Sequence, residues 1–260
     1  AIQNLINIEQ DDKVKAFICT QDLKDEDYIN NHYVIMATKM GQVKKTSLEQ
    51  YSRPRSNGIN AITVKDGDEL LEAKLTNGNS QIMLAVKSGK AIRFEESKTR
   101  PMGRNASGVR GIRLKDNKDE VVGMISVNDM DANILVVSEN GYGKRSSLED
   151  YRLTNRGGKG VKTISITSKT GQLVSLKSVT DSDDLMIINK SGIAIRMQVA
   201  DLRVMGRATQ GVKVISIKDG DGIAAVAKVM NDEDEIEDIN LSLIHISEPT
   251  RLLSRADGLF

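Results

Sequence analysis

The sequence predicts an all-β protein, folded as a propeller-like disc of repeated four-stranded blades. Three observations favour this class: a repeat with a period near fifty residues, alternating apolar and polar residues in every copy, and the lack of any long helical pattern. A repeat of this length made of strands cannot bury its faces alone, so successive copies are expected to pack on one another as blades. The 260 residues, 39% of them hydrophobic, are enough for such a core.

Four copies of the repeat begin near residues 33, 81, 133 and 184. Each copy contains a first glycine, a second glycine 17 to 19 residues later, and an isoleucine four residues beyond the second glycine. The first glycines are Gly41, Gly89, Gly141 and Gly192, the second are Gly58, Gly108, Gly160 and Gly211, and the isoleucines are Ile62, Ile112, Ile164 and Ile215. Agreement at three positions in four copies is hard to obtain by chance.

About four strands are predicted in each copy. A β-rich apolar run such as "YVIMAT" or "LMIIN" comes first, followed by a turn at the first glycine and a short alternating segment. After the second glycine come segments such as "NAITV" and "KTISI", and then runs such as "EVVGMISV" and "IAAVAKV". The stretches "SLEQY" and "SLEDY" between them are short enough to form single helical turns.

The two ends of the chain depart from the repeat. Residues 1–20 match only the back half of a copy, which predicts a partial blade, and residues 21–31 form a polar connection. The propeller-like disc is therefore expected to cover residues 1–230, followed by an acidic tail at 231–240. Residues 241–260 look like translated sequencing-library adapter, so we expect them to be a disordered artefact and set them aside.

Charge is segregated along the chain, although the formal net charge is only +1. Residues 231–260 hold two basic and eight acidic residues, which leaves 35 basic and 28 acidic residues, a net charge of +7, in residues 1–230. A basic body with an acidic tail is typical of proteins that bind a polyanion, and the tail is a candidate competitor for the same surface.

Cations recur at fixed distances from the glycines. Four residues after the first glycine stand Lys45, Arg93, Arg145 and Arg196, and Lys44 and Lys144 precede two of them. Four and eight residues before the second glycine stand Arg104, Arg156, Arg207 and Arg100, Arg152, Arg203, while the shorter first loop offers Arg53 and Arg55. Rotation places equivalent residues at equivalent radii, so these cations are expected to line one rim of the disc. The alternative is an ordinary solvated face.

The segment "NRGGKG", residues 155–160, combines Arg156 and Lys159 with three glycines, Gly157, Gly158 and Gly160. A nucleotide-binding P-loop needs a serine or threonine after the lysine to hold magnesium, and Gly160 stands there instead. Two interpretations remain: a loop whose main chain approaches the phosphate backbone of a nucleic acid, and a plain surface turn.

The aromatic content favours duplex DNA among polyanions. Proteins that bind single strands or RNA stack bases on aromatic side chains, whereas this chain has no Trp, three Phe and five Tyr. No recognition helix is evident, so sequence reading in the major groove is not expected.

Catalysis and metal binding find little support in the sequence. His32 lies in a polar connection and is expected at the surface, and the "DGD" at 66–68 and 219–221 lacks the ligand series of a calcium loop, so a turn is expected at each. A single cysteine, Cys19, excludes an internal disulfide and is interpreted as a core residue. No apolar run is long enough to span a bilayer, and we expect a cytoplasmic protein.

At "MATKMGQVKKTSLEQYSRPRSNG", "RPMGRNASGVRGIRL", "ENGYGKRSSLEDY" and "NRGGKGVKTI" the sequence resembles the C-terminal domain of the bacterial gyrase A protein, part of a DNA topoisomerase. The resemblance covers residues 1 to about 230. The family's box, Gln-Arg-Arg-Gly-Gly-Lys-Gly, is matched at residues 156–160 but not at Thr154 and Asn155. In the family the full box lies in the first blade, so it is expected to precede this chain.

The resemblance implies a β-pinwheel that wraps duplex DNA around a basic rim and presents it to the cleavage core of an ATP-dependent type II topoisomerase that introduces negative supercoils. The implied partners are DNA, the N-terminal core of gyrase A, and gyrase B, in the nucleoid of a bacterial cytoplasm. The catalytic tyrosine lies outside this chain, as do the sites for ATP and magnesium, so no cofactor and no catalysis are expected here. The alternatives are the corresponding domain of topoisomerase IV and a propeller-type module that binds proteins.

Overall fold

The structure is a computed structural model that describes residues 14–55, 58–218 and 220–229. These residues form fifteen β-strands and one short α-helix, which confirms the all-β class predicted from the sequence. The expectations for residues 1–13 and for everything after Val229, including the acidic tail and the adapter-like segment, lie outside the described residues. Within the described part, the first strand of each copy begins at Tyr33, Gln81, Asn133 or Asp184.

The strands are short and evenly spaced along the chain. The first two copies contain β1 (Tyr33–Thr38), β2 (Gln42–Ser47), β3 (Leu70–Thr76), β4 (Gln81–Val86), β5 (Lys90–Glu95), β6 (Val109–Arg110) and β7 (Val121–Val127). The last two contain β8 (Asn133–Ser138), β9 (Tyr142–Ser147), β10 (Val161–Lys162), β11 (Leu173–Val179), β12 (Asp184–Asn189), β13 (Ala194–Gln198), β14 (Val212–Lys213) and β15 (Ile223–Val229). Short 3-10 turns at Leu48–Tyr51 and Leu148–Asp150 occupy the "SLEQY" and "SLEDY" stretches.

Each four-stranded sheet takes its fourth strand from the following copy of the repeat. The sheet orders are β3-β1-β2-β6, β7-β4-β5-β10 and β11-β8-β9-β14, all antiparallel, with β15-β12-β13 forming the last sheet among the described residues. We call β6, β10 and β14 the exchanged strands. The sequence predicted four strands per copy, but a blade and a copy of the repeat are not the same stretch of chain.

The hydrophobic core lies between successive sheets. Because side chains alternate across a strand, Ile82 and Leu84 of β4 pack toward the first sheet, while Met83 and Ala85 pack toward the third. All four side chains are fully buried. The strands β3, β7, β11 and β15 contact one another in that order along one edge of the sheets. The exchanged strands therefore form the opposite, outer edge of the first three sheets.

The N-terminal connection differs from its prediction in two respects. Residues 26–31 form a six-residue helix, α1 (Glu26–Asn31), because Asp25 caps its first turn by accepting a hydrogen bond from the Tyr28 N–H. Cys19 is exposed rather than part of the core, since residues 14–20 contain no strand that would bury it. The core beside this segment is supplied instead by Ile29, which is buried.

Candidate nucleic-acid interface

The outer edge carries one exposed cation in each exchanged strand. β6, β10 and β14 each consist of a half-buried valine followed by an exposed arginine or lysine, namely Arg110, Lys162 and Lys213. The sequence analysis missed these three positions. The signal was present, because each cation stands two residues after the second glycine of its copy, in "GVR", "GVK" and "GVK".

One of these cations faces another cation across the strand pair. Lys162 of β10 lies directly opposite Lys90 of β5 in the antiparallel register. Like charges at directly opposite positions destabilise a sheet unless a counter-charge lies near them. Asp116 and Asp119 line the same pocket as these two lysines and supply counter-charge there.

Before each exchanged strand, a loop crosses the strand with which the exchanged strand pairs, namely β2, β5 or β9. We call residues 99–108, 152–160 and 203–211 the anchor loops. Each makes a single parallel bridge to that strand, at Lys45–Pro101, Arg93–Leu153 and Arg145–Val204. The loops are thus pinned to a neighbouring blade rather than extended into solvent.

The second glycine of the second, third and fourth copies is required by this crossing. Gly160 has a φ of +70°, and a Cβ placed on it would lie 2.5 Å from the Ala91 carbonyl oxygen. Gly108 and Gly211 stand in the same geometry, with a Cβ 2.6 Å from Val43 O and 2.5 Å from Gly143 O, respectively. Only glycine accepts both the left-handed backbone and this close approach.

The anchor loops carry arginines that reach across to the preceding exchanged strand. The Arg156 guanidinium donates to Lys98 O at 2.9 Å and to Arg110 O at 3.1 Å, and Arg207 donates to Lys162 O at 2.9 Å. An arginine has five N–H donors, so these contacts fix the side chain while leaving others available to a ligand. Both side chains are half-buried, and each lies beside the exposed cation of that strand.

The "NRGGKG" segment is the most tightly tied part of its anchor loop. The Gly157 N–H donates to Gly111 O at 2.6 Å, and Gly158 O accepts from the Arg113 N–H at 2.8 Å. Lys159 is exposed between these pinned glycines. The glycines are therefore structural, and the segment presents the Lys159 ammonium from a rigid turn.

Other predicted cations also lie at the surface. Exposed side chains are found at Arg53, Arg55, Arg100, Arg152 and Arg203, and Arg104 is half-buried. Arg196 is 43% exposed and forms an ion pair with Asp184 of the same sheet, at 2.6 Å.

Four predicted cations point into the protein instead, and we remove them from the DNA-contact set. Lys45 is 4% exposed; its ammonium lies 2.8 Å from the buried Glu96 carboxylate of the second copy and 3.9 Å from the centre of the Tyr33 ring. Arg145 is 7% exposed and donates to Leu202 O and to Asp181.

Lys44 and Lys144 complete this inward-facing set, since both are fully buried. Their ammonium groups donate to backbone and side-chain oxygens within the protein. The recurrence of cations in the sequence did not distinguish buried positions from exposed ones. The positions of these four cations lie on β2 and β9, which the next copy of the repeat covers.

In the first three copies, the cation four residues after the first glycine contacts the following copy. Arg93 shows this most fully: it donates to Gln81 Oε1 at 2.6 Å, and then to Leu148 O at 2.9 Å and Tyr151 O at 3.1 Å in the third copy. Burial lowers the pKa of Arg93 from its ordinary value. In these three copies the position therefore carries contacts between blades.

The described residues contain no group of three or more His, Cys, Asp or Glu side chains that could hold a metal ion. In the "DGD" segments, Asp68 accepts from the Met40 N–H and Asp221 accepts from the Ser191 hydroxyl, each at 2.8 Å. Both carboxylates thus cap hairpin turns. No helix in the described ranges is long and apolar enough to cross a membrane.

Strand-exchanged blades with a cationic outer edge define a class of protein, the β-pinwheel. Comparison with known proteins narrows the class: the chain belongs to the family described as the DNA gyrase C-terminal domain, beta-propeller, whose model matches residues 32–77, 81–128, 132–180 and 183–230. The gyrase A protein of Staphylococcus aureus is 43% identical over 250 residues, which are 95% of this chain and 28% of that protein.

Solved structures show the same fold. The C-terminal domain of DNA topoisomerase IV superposes with a TM-score of 0.84 at 24% identity, covering 94% of this chain and 75% of that one. The DNA gyrase A C-terminal domain superposes with a TM-score of 0.76 at 25% identity, covering 88% of this chain and 74% of that one. At these identities the topoisomerase IV likeness concerns the fold alone, whereas the 43% identity lies with gyrase A.

Proposed function

We propose that this chain binds duplex DNA through its phosphates, along the outer edge formed by the exchanged strands and the anchor loops. The observation that carries the proposal is the repetition of Arg110, Lys162 and Lys213 at one exposed position of three successive sheets. The anchor-loop arginines Arg156 and Arg207 lie beside two of them. Repeated cations on a rigid edge match a polymer with regularly spaced charges.

Binding of this kind has little sequence preference. Reading base edges requires an element that enters a groove, and the one α-helix of the described residues has only six residues and packs against β2 and the 3-10 turn that follows it. Phosphate contacts fix the position of a duplex but carry no base information.

The edge also favours bending. Successive sheets present their cations one after another, so a duplex gains more contacts by following the edge than by touching one blade. Bending 20 to 30 base pairs by 40 to 90° costs on the order of 1 to 6 kcal/mol, which a continuous series of contacts offsets.

Within a longer protein, we infer that this domain wraps DNA and presents it to the cleavage core of a gyrase that introduces negative supercoils. The chain corresponds to 28% of the matching gyrase A protein. Gyrase B and the remainder of gyrase A are the inferred partners, and they supply the catalytic tyrosine and the use of ATP and magnesium. The inferred location is the bacterial cytoplasm, on the nucleoid.

The test is a titration of labelled duplex DNA with this chain at several salt concentrations. If about eight cations reach phosphates, the plot of log K against log salt has a slope of about −7, from about −0.9 per contact. Two unrelated duplex sequences of equal length should give the same affinity. A slope near zero, or binding to a protein partner that is insensitive to salt, would indicate a protein-interaction module instead.

A further inference from the structure

Two buried lysines connect the outer strands to the anchor loops. Lys44 of β2 and Lys144 of β9 each stand three residues after the first glycine of their copy, and both are fully buried. The other two copies have isoleucine at this position, Ile92 and Ile195. A charged group that alternates with an aliphatic one at a buried position calls for a specific reason, because burial of a charge is costly.

Both ammonium groups are held by oxygens of the loop that crosses above them. The Lys144 ammonium donates to Gly206 O at 2.7 Å and to the Thr209 hydroxyl at 3.1 Å, both in the anchor loop of the fourth copy. Lys44 donates to Ala61 O at 2.6 Å and also to Arg104 O, in the anchor loop of the second copy. An ammonium has three donors and no acceptor, so it suits a site built of carbonyl oxygens.

The groups that face each lysine are few. Around Lys44 they are the Tyr51 hydroxyl, which donates to Ala61 O at 3.1 Å, and the Arg104 guanidinium. Around Lys144 they are Asp150 and Arg207.

The ordinary ammonium pKa is strongly perturbed at both sites. Burial lowers the pKa of each lysine from 10.5 to about 8. The neighbouring arginine adds to this effect at both sites, and Asp150 opposes it at Lys144. Burial likewise raises the pKa of Tyr51 and Tyr151.

We propose that Lys44 and Lys144 are positioning residues, whose side-chain nitrogen atoms donate the hydrogen bonds that fix the anchor loops carrying Arg104 and Arg207 in the arrangement that meets DNA. The link to DNA rests on the proposed function, whereas the fixing of the loops does not. Neither lysine touches the DNA. The anchor loop at 152–160 is held differently: a Cβ on Gly158 would lie 3.4 Å from the Ile92 side chain, so an apolar contact stands where the other loops have an ammonium.

The pKa shifts lead to different expectations for the order of the anchor loops and for the overall stability of the fold. A lysine whose pKa is lower in the folded than in the unfolded state lowers stability below about pH 8, and that loss is relieved as the pH rises from about 8 to 10.5. Replacing both lysines by methionine should therefore not lower the melting temperature at pH 7. The loops, in contrast, lose donors that hold them.

The experiment compares amide hydrogen exchange in the parent chain and in the Lys44→Met, Lys144→Met double variant, without DNA and at pH 7. The reporters are Met102 and Met205, whose N–H groups bond to Lys45 O and Arg145 O at 2.8 Å. We expect exchange at both to be about tenfold faster in the variant, on the scale of one or two lost hydrogen bonds. The Gly157 amide, in the loop that has no lysine beneath it, should not change.

The matched control is Ile195→Met, the same position in the fourth copy, which removes no polar contact. DNA titration of the same proteins should show a salt slope smaller by up to about 1.8 for the double variant, the contribution of two phosphate contacts. The control should match the parent in both measurements.

Each outcome decides a separate claim. Unchanged exchange at Met102 and Met205 in the double variant would overturn the proposal. Faster exchange with unchanged DNA affinity would show that the loops are fixed for folding alone and would equally overturn it. A parent chain that does not bind DNA would refute the proposed function, while the exchange data would still decide whether the lysines fix the loops.

A second measurement needs no substitution. Raising the pH of the parent from 7 to 9.5 should slow exchange at Met102 and Met205 relative to Gly157, after correction for the intrinsic effect of pH, because loss of the proton from each lysine relieves the desolvation penalty of the closed loop. Equal changes at all three amides would contradict the proposal even if the double variant failed to fold.

Discussion

Neutralising the exchanged-strand cations should remove a defined part of the electrostatic binding energy. The perturbation is the triple variant Arg110→Gln, Lys162→Gln, Lys213→Gln. These side chains are exposed, and their strands are held by main-chain pairing to β2, β5 and β9, which glutamine preserves. The melting temperature of the triple variant is therefore expected to stay close to that of the parent.

The magnitude follows from the number of phosphate contacts. Removing three of about eight contacts should change the slope of log K against log salt from about −7 to about −4.5. Between 50 and 200 mM salt the parent should then lose roughly 10⁴-fold in affinity, and the triple variant only about 500-fold. Fluorescence anisotropy of a labelled duplex at four or five salt concentrations measures both slopes.

A charge-matched control locates the effect. Lys74, Lys177 and Lys228 belong to β3, β11 and β15, on the opposite edge of their sheets. Their triple glutamine variant has the same net charge as the first. If the slope of log K against log salt becomes equally shallow in both variants, binding depends on the total charge. That result would refute the outer edge as the interface.

Three further outcomes are expected. The Arg156→Ala, Lys159→Ala variant should bind unrelated duplexes more weakly by one common factor, and affinity equal to the parent would leave "NRGGKG" as only a turn. Gly160→Ala should destabilise the fold by about 1 to 3 kcal/mol or more in a denaturant titration, and by more than Gly58→Ala, since both have positive φ but only Gly160 lacks room for a Cβ. Cutting the chain after Met230 should tighten DNA binding at low salt and less so at high salt, because the acidic segment competes with phosphates. An unchanged affinity at low salt would count against that competition.

The fold was predictable because its signals are local. Alternation, the two glycines and the following isoleucine report strand, turn and core within each copy, and Ile112 and Ile164 are indeed almost fully buried. Strand exchange was not predictable in this way. It depends on which neighbour Val161 and Lys162 pair with, and the repeat pattern is the same whether they pair within their own copy or with the copy before.

The candidate site was predictable only in part for the same reason. Recurrence showed that cations matter at fixed positions but did not show which face they occupy. Arg152 and Lys159 lie at the surface, whereas Lys45 and Arg145 are buried links between blades. Buried and exposed residues do not alternate in β2 and β9. Both faces of these strands are covered, so four consecutive residues are buried in each.

Strand exchange also determines when each sheet can be completed during synthesis on the ribosome. The third strand of the first sheet ends at Thr76, but the strand that completes this sheet begins at Val109, 33 residues later. At roughly 5 to 20 residues per second, each sheet waits about 2 to 7 s with an unpaired outer strand before its last partner emerges. The interval is nearly constant, since β10 follows β7 by 34 residues and β14 follows β11 by 33. The nascent chain therefore always exposes one incomplete blade edge, and a pause within an anchor loop would prolong the period in which that edge can pair with the wrong strand.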